Sequence, residues 1–223
     1  MNKRSLTFSC ILFVLVSVTH AQTYDSRRLY FGVDVLRTFP LTFNRGFVFE
    51  PSLLYKTKDH TIIDLAVGFN DIRKDELYSN VAYANTGRYY RLGVGKFLLK
   101  SRKKFNEFNL QACLIYSDFT EKGTITFEGD NYGDLVEVRT QRNKLFIVEL
   151  QPNYWLPISD RISVNFQVRI NYIVTNPDEK DFPVYYVPGV GNVQAWGNRD
   201  GIPNSRRVTE GISIRLVYKF LEL

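Results

Sequence analysis

The stretch RISVNFQVRINYIV, from Arg161 to Val174, sorts its side chains with a period of two. Ile162, Val164, Phe166, Val168, Ile170, Tyr172 and Val174 share one face, while Arg161, Ser163, Asn165, Gln167, Arg169 and Asn171 share the other. Successive side chains of a strand point to opposite faces, whereas a helix would scatter both sets around its axis. The segment therefore reads as a strand with one apolar and one polar face. The same rhythm closes the chain, with Ile212, Ile214, Leu216, Tyr218 and Phe220 opposite Gly211, Ser213, Arg215, Val217 and Lys219.

Outward from these two segments the pattern recurs six more times. Its apolar faces begin at Leu29, Phe47, Ile63, Tyr90, Phe108 and Phe146 and end at Val35, Tyr55, Phe69, Val94, Tyr116 and Leu156. The links alternate in length: residues 57–60, 99–106 and 158–160 are short, while residues 39–45, 71–86, 129–134 and 175–207 include the two longest. The strands on either side of Gly129 to Gly133 are expected to run on as a hairpin from Asp118 to Thr140. Pro and Gly gather in residues 175–207, which reads as one long surface loop.

Composition agrees with an aromatic-rich β protein. Of 223 residues, 44% are hydrophobic and 15% aromatic, with 17 Phe and 14 Tyr against one Met, which excludes a disordered tail. The formal charge is +6, from 29 Lys and Arg against 23 Asp and Glu. Lys3 and Arg4, the apolar run Leu6 to Val18 and the small residue Ala21 read as a secretory signal peptide spanning residues 1–21. Residues 22–223 then form one domain with a single cysteine, Cys113, so the exported chain is expected to be stable without an internal disulfide. No later apolar run is long enough for a helical span.

An even number of strands, short turns on one rim and long loops on the other predict an eight-stranded antiparallel up-and-down transmembrane β-barrel with a filled polar lumen, long extracellular loops and both termini in the periplasm. A soluble lipocalin-like barrel alternates too, but with its apolar face inward. Two features favour the membrane form. Tyr55, Tyr90, Tyr116, Tyr154, Tyr172, Tyr218 and Phe220 lie near strand ends, where amphipathic rings meet headgroups. The polar face carries four acids, Asp34, Glu50, Asp64 and Glu149, and four bases, Arg91, Arg169, Arg215 and Lys219. An eight-stranded lumen is only wide enough for its own side chains, so these charges are expected to pair as a buried network.

The chain thus resembles the small eight-stranded outer-membrane barrels of the OmpA and OmpX kind, through architecture more than through a sharp motif. That resemblance implies a Gram-negative source, location in the outer membrane, contact with outer-membrane lipid, and insertion by the barrel-assembly machinery. The assembly signal would be carried by Tyr218 and Phe220 in Val217-Tyr218-Lys219-Phe220, although Leu221-Glu222-Leu223 follow where the family ends on its aromatic residue.

Little in the sequence points to catalysis. After the signal is removed the only histidine is His60, placed in a periplasmic turn, and its neighbouring hydroxyls Thr57 and Thr61 are turn residues. Cys113 lacks a histidine partner and is expected to be an inert thiol in the lumen. Glu128 to Asp134 could hold calcium through its oxygens, but Asp, Asn and Gly there are also what a hairpin needs. Lys100, Arg102, Lys103 and Lys104 lie on a predicted periplasmic turn. No cofactor, metal or nucleic-acid partner is expected.

The surface that stands out is the long loop. Phe182, Tyr185, Tyr186 and Trp196 make it too apolar for a freely hydrated segment, so it is expected to pack either over its own barrel mouth or against a partner. The expected role is a non-enzymatic structural or accessory subunit working through its extracellular loops within a larger outer-membrane complex for assembly, secretion or uptake. A narrow channel or small-ligand binder and a lipid-modifying enzyme stand as alternatives.

Overall fold

Alternation turns into pairing. The computed structural model describes residues 27–38, 45–78, 80–100, 107–127, 129, 135–177, 184–193 and 207–222. The strands are β1 (Arg28–Asp34), β2 (Arg45–Phe49), β3 (Pro51–Lys56), β4 (Thr61–Tyr78), β5 (Val81–Lys100), β6 (Glu107–Phe127), β7 (Leu135–Pro157), β8 (Ile162–Ile173), β9 (Tyr186–Val187), β10 (Gly191–Asn192) and β11 (Val208–Glu222), with one helical turn, α1 (Val35–Thr38).

Every sheet pairing is antiparallel. β1 lies between β3 and β11, and the order continues through β8, β7, β6 and β5 to β4, which pairs back onto β3. The circuit of hydrogen bonds closes on itself, leaving no free sheet edge across the barrel's middle. β2 and β3 occupy one place in the ring, since both pair with β4 and only Glu50 separates them. Pro51 has no N–H to give to the ladder at that break, and the Glu50 carbonyl instead accepts the amide of Asp34 at 3.2 Å.

The faces are inverted relative to a soluble barrel. Asp34, Glu50, Asp64, Asn109, Asn153 and Arg169 are fully buried inside, while Phe31, Leu65, Leu114, Phe146, Phe166 and Leu216 face out and are 42% to 60% exposed. Along β7 each inward residue from Gln141 to Trp155 is buried and each outward one is exposed or half-exposed. A lipocalin-like reading needs the opposite arrangement. An apolar girdle of this extent is stable only in an apolar surrounding.

Register fixes the upper edge of that girdle. Tyr90, Tyr116 and Phe146 stand in one cross-strand row, and the next outward row is Arg88, Asp118 and Lys144. Beyond this charged row β4 to β7 continue upward, so the barrel carries a tall wall on one side. The hairpin expected from Asp118 to Thr140 is present as paired strand to Phe127 and Leu135. Residues 71–86, expected to be a loop, are instead the continuation of β4 and β5 and pair from Asp71↔Thr86 to Tyr78↔Val81. Above the girdle the outward face carries polar and charged residues such as Arg73, Thr86 and Lys122 while Ile72 and Tyr83 stay buried inside, so the outward apolar half of the alternation disappears while the strand persists.

Candidate functional site

The lumen is filled in three layers. Near the short turns, Tyr30, Leu54, Ile62, Trp155 and Val217 form a buried apolar cluster with Phe97 against it. The rings of Tyr30 and Phe97 meet Trp155 edge-on at 5.4 and 5.9 Å. Lys56 lies 4.0 Å over the Phe97 ring and pairs with Glu107 at 2.8 Å, which places a satisfied charge below the apolar layer.

The middle layer is ionic. Glu50 takes Arg91 at 2.8 Å, Arg215 at 3.3 Å and Arg169 at 3.4 Å, while Asp64 takes Arg215 at 2.7 Å and Arg91 at 3.3 Å. Arg169 Nε donates to Glu149, whose second oxygen lies 3.9 Å from Arg91. All six side chains are completely buried. Three arginines are thus matched by three carboxylates from five strands and the β2–β3 break, and each Arg offers a planar fork suited to two acceptors. Asp34 accepts the Ser213 hydroxyl. Asn109, Gln111, Gln151, Asn153 and Gln167 continue the polar filling toward the apolar layer through bonds of 2.8 to 3.0 Å.

Lys219, expected among these charges, lies outside the cluster. Its Nζ bonds Glu222 at 2.8 Å at the end of β11, because Val217 belongs to the apolar layer and the longer side chain beyond it reaches the rim. Cys113 is buried in the lumen with Sγ 3.7 Å from Gln151 Oε1. Among the described residues no group of three or more His, Cys, Asp or Glu side chains is placed to hold a metal ion. His60 sits in the turn joining β3 to β4 with a left-handed φ of 61°, its carbonyl accepting the amide of Phe97.

The third layer comes from the long loop. β9 and β10 form a small hairpin, and Val184, Val187, Val190 and Val193 are buried with Tyr89, Ile115, Phe119, Leu145, Ile147 and Ile173 of the barrel wall. Tyr185 and Tyr186 pack with Val48, Ile72 and Tyr83. This corrects the expectation that Tyr185 and Tyr186 form a partner-binding surface: they are 8% and 7% exposed and face their own barrel. Of the two packings expected for the loop, its described part takes the self-lid. Phe182 and Trp196 lie outside the described residues, as do residues 1–21, the turn cations Arg102 to Lys104, and Glu128 and Asp130 to Asp134.

Specific polar bonds seat this plug. Glu121 accepts the amides of Tyr185 and Tyr186 at 3.2 and 3.4 Å, the Tyr83 hydroxyl, and Gln141 Nε2 at 3.1 Å. Asn85 Nδ2 donates to the Tyr186 carbonyl at 2.9 Å. Arg169 Nη2 donates to the Gly189 carbonyl at 3.0 Å, which joins the ionic layer to the hairpin tip. Gly189 has a φ of +85°, and a Cβ there would stand 2.8 Å from the Tyr89 ring. A Cβ at Gly68 would stand 2.0 Å from Cε1 and Cζ of the same ring. Tyr89 is thus held between wall and plug, with its hydroxyl donating to Glu50.

Glu121, Tyr89, Asn85 and Gly189 are the site residues that sequence reading missed. Glu121 continues the inward parity of Cys113 and Ser117, which was the available signal. Tyr218 and Phe220 face outward on the last strand, 41% and 49% exposed.

No family model and no curated relative matches the chain. Among solved structures it is similar to a major outer membrane protein from Thermus thermophilus, at 12% identity over 88% of this chain and 100% of that one, with a TM-score of 0.51. Neisserial surface protein A also aligns, at 13% identity over 87% of this chain and 95% of that one, with a TM-score of 0.40. The fold is that of an outer-membrane β-barrel.

Proposed function

We propose that this chain is a non-conducting, non-enzymatic protein of the outer membrane that serves as an accessory subunit of a larger complex, presenting the tall β4 to β7 wall to its partner. The observation that carries this reading is the completeness of the filling: an apolar layer, an ionic layer centred on Glu50 and a loop plug follow one another along the lumen. Such a lumen leaves the outside of the barrel as the working surface.

The upper part of β7 supplies the most exposed strip of that surface. Leu135, Val136 and Val138 are 66%, 55% and 53% exposed. β7 residues 135–145 pair with β6 on one side, whereas the described pairing with β8 begins only at Ile147↔Ile173. Exposed apolar side chains along a strand suit a partner polypeptide that packs against them. A Leu135→Asp/Val138→Asp variant tests this. Mild-detergent purification should lose a stoichiometric companion while the barrel's heat-dependent gel mobility stays, and a strictly monomeric wild-type particle would contradict the reading.

A further inference from the structure

The charged row above the girdle sits between two hollows on the outer wall. Below it, Leu65, Leu92, Leu114, Tyr90, Tyr116 and Val148 help line an apolar concavity of about 990 Å³. Above it, a polar groove of about 460 Å³ is lined by Arg73, Asp75, Ala84, Thr86, Thr120 and Lys122 among others. Cross-strand register links the two: the outward rows run Tyr90–Tyr116–Phe146, then Arg88–Asp118–Lys144, then Thr86–Thr120–Arg142, then Ala84–Lys122–Thr140.

The charge of this strip is biased toward cations. Asp118 is occupied by a two-pronged pair with Arg142 at 2.9 and 2.8 Å, and Asp71 lies 3.8 Å from Arg73. Arg88 and Lys144 flank Asp118 in its cross-strand row and feel its charge, and neither they nor Lys122 forms a salt bridge among the described residues. Three cations with threonine hydroxyls between them, set directly over an apolar hollow, match an anionic headgroup on acyl chains. The described strand of β8 ends at Ile173, within the girdle's height.

We propose that the outer face of β4 to β7 is a binding site for a phosphorylated, multiply acylated lipid of the outer leaflet, its acyl chains in the lower hollow and its phosphates on Arg88, Lys122 and Lys144. This rests on the reading above only in taking the long-loop rim as the outward one. Apolar contact holds the chains, and the bases attract the headgroup at about fivefold in affinity each. Position in the register, and not loop chemistry, selects the ligand: the cations stand one to three rows above the aromatic row.

The test is retention of lipid by the full chain in detergent, read by native mass spectrometry. The probes are bisphosphorylated lipid A, its phosphate-free form, a zwitterionic phospholipid and inorganic phosphate. The wild type should retain bisphosphorylated lipid A well above the other three, and Arg88→Gln/Lys122→Gln/Lys144→Gln should weaken it roughly a hundredfold. Arg161→Gln, on the opposite rim, should leave it unchanged. Equal retention of phosphorylated and phosphate-free forms, undiminished retention by the triple variant, or full competition by inorganic phosphate would each overturn the lipid site. A chain that shows the heat-dependent gel shift and keeps its companion but fails here overturns this proposal alone.

Discussion

Arg169 Nη2 donates to the carbonyl of Gly189 at 3.0 Å, so one guanidinium belongs both to the buried ion cluster and to the tip of the inserted loop. Its other contacts, Glu149 and Glu50, hold the fork that points at the loop. The plug is therefore seated by the same group that neutralises the middle of the lumen. One side chain thus contacts both the ion cluster and the plug.

Removing the guanidinium should cost both. Arg169→Met leaves the Glu149 carboxylate short of its nearest cation in a buried interior, a change of about 3–5 kcal/mol. The temperature at which the unboiled gel band shifts should fall. Arg169→Met/Glu149→Met removes both charges and should recover most of that loss. A double variant no more stable than the single one would refute the pairing.

Gly189→Val addresses the plug alone. A branched side chain at φ +85° is strained and would enter the Tyr89 ring. Amide exchange of residues 184–193 should accelerate while β6 and β7 keep their protection, because the barrel ladder does not pass through the plug. Uniform loosening of both would show that the plug and barrel fold as one unit.

Glu121→Ala makes a related prediction by another route. It removes the acceptor of the Tyr185 and Tyr186 amides, and each buried unpaired N–H costs about 1–3 kcal/mol. Protease should then cut within residues 184–193 of the folded, membrane-inserted chain, and should spare the wild type. Glu121→Gln, which keeps an acceptor, should fall between them.

Planar-bilayer recording follows from the filled lumen. The wild type should be silent, and a variant lacking residues 184–193 should remain nearly silent because the ionic and lower apolar layers still block the path. Steady wild-type conductance would favour the narrow-channel reading.

The sequence disclosed the girdle better than what stands above and within it. Phe166, Val168 and Ile170 against Gln167 and Arg169 could be read because membrane and lumen demand opposite chemistry on the two faces of one strand. The residues of the ionic layer were legible for the same reason, since charges at inward parity in a narrow eight-stranded lumen stand close enough to meet. Lys219 shared their parity, but height along the lumen is set by register and by the Val217 layer, which alternation does not encode. Strand continuation through Asp71 and Thr86 was invisible, because beyond the girdle the apolar half of the code ends. The insertion of Tyr185 to Val193 depends on contacts with Glu121, Asn85 and Arg169, all distant in sequence. An apolar loop announces that it must pack; the partner comes only from three-dimensional placement.

The barrel carries its apolar face outside and its charges within. Cell fractionation followed by detergent extraction and gel mobility with and without boiling reads this arrangement. The protein should be recovered in the membrane fraction, be released only by detergent, and give a band that changes mobility on boiling. Recovery as a soluble protein without detergent, with no heat-dependent change in mobility, would contradict it.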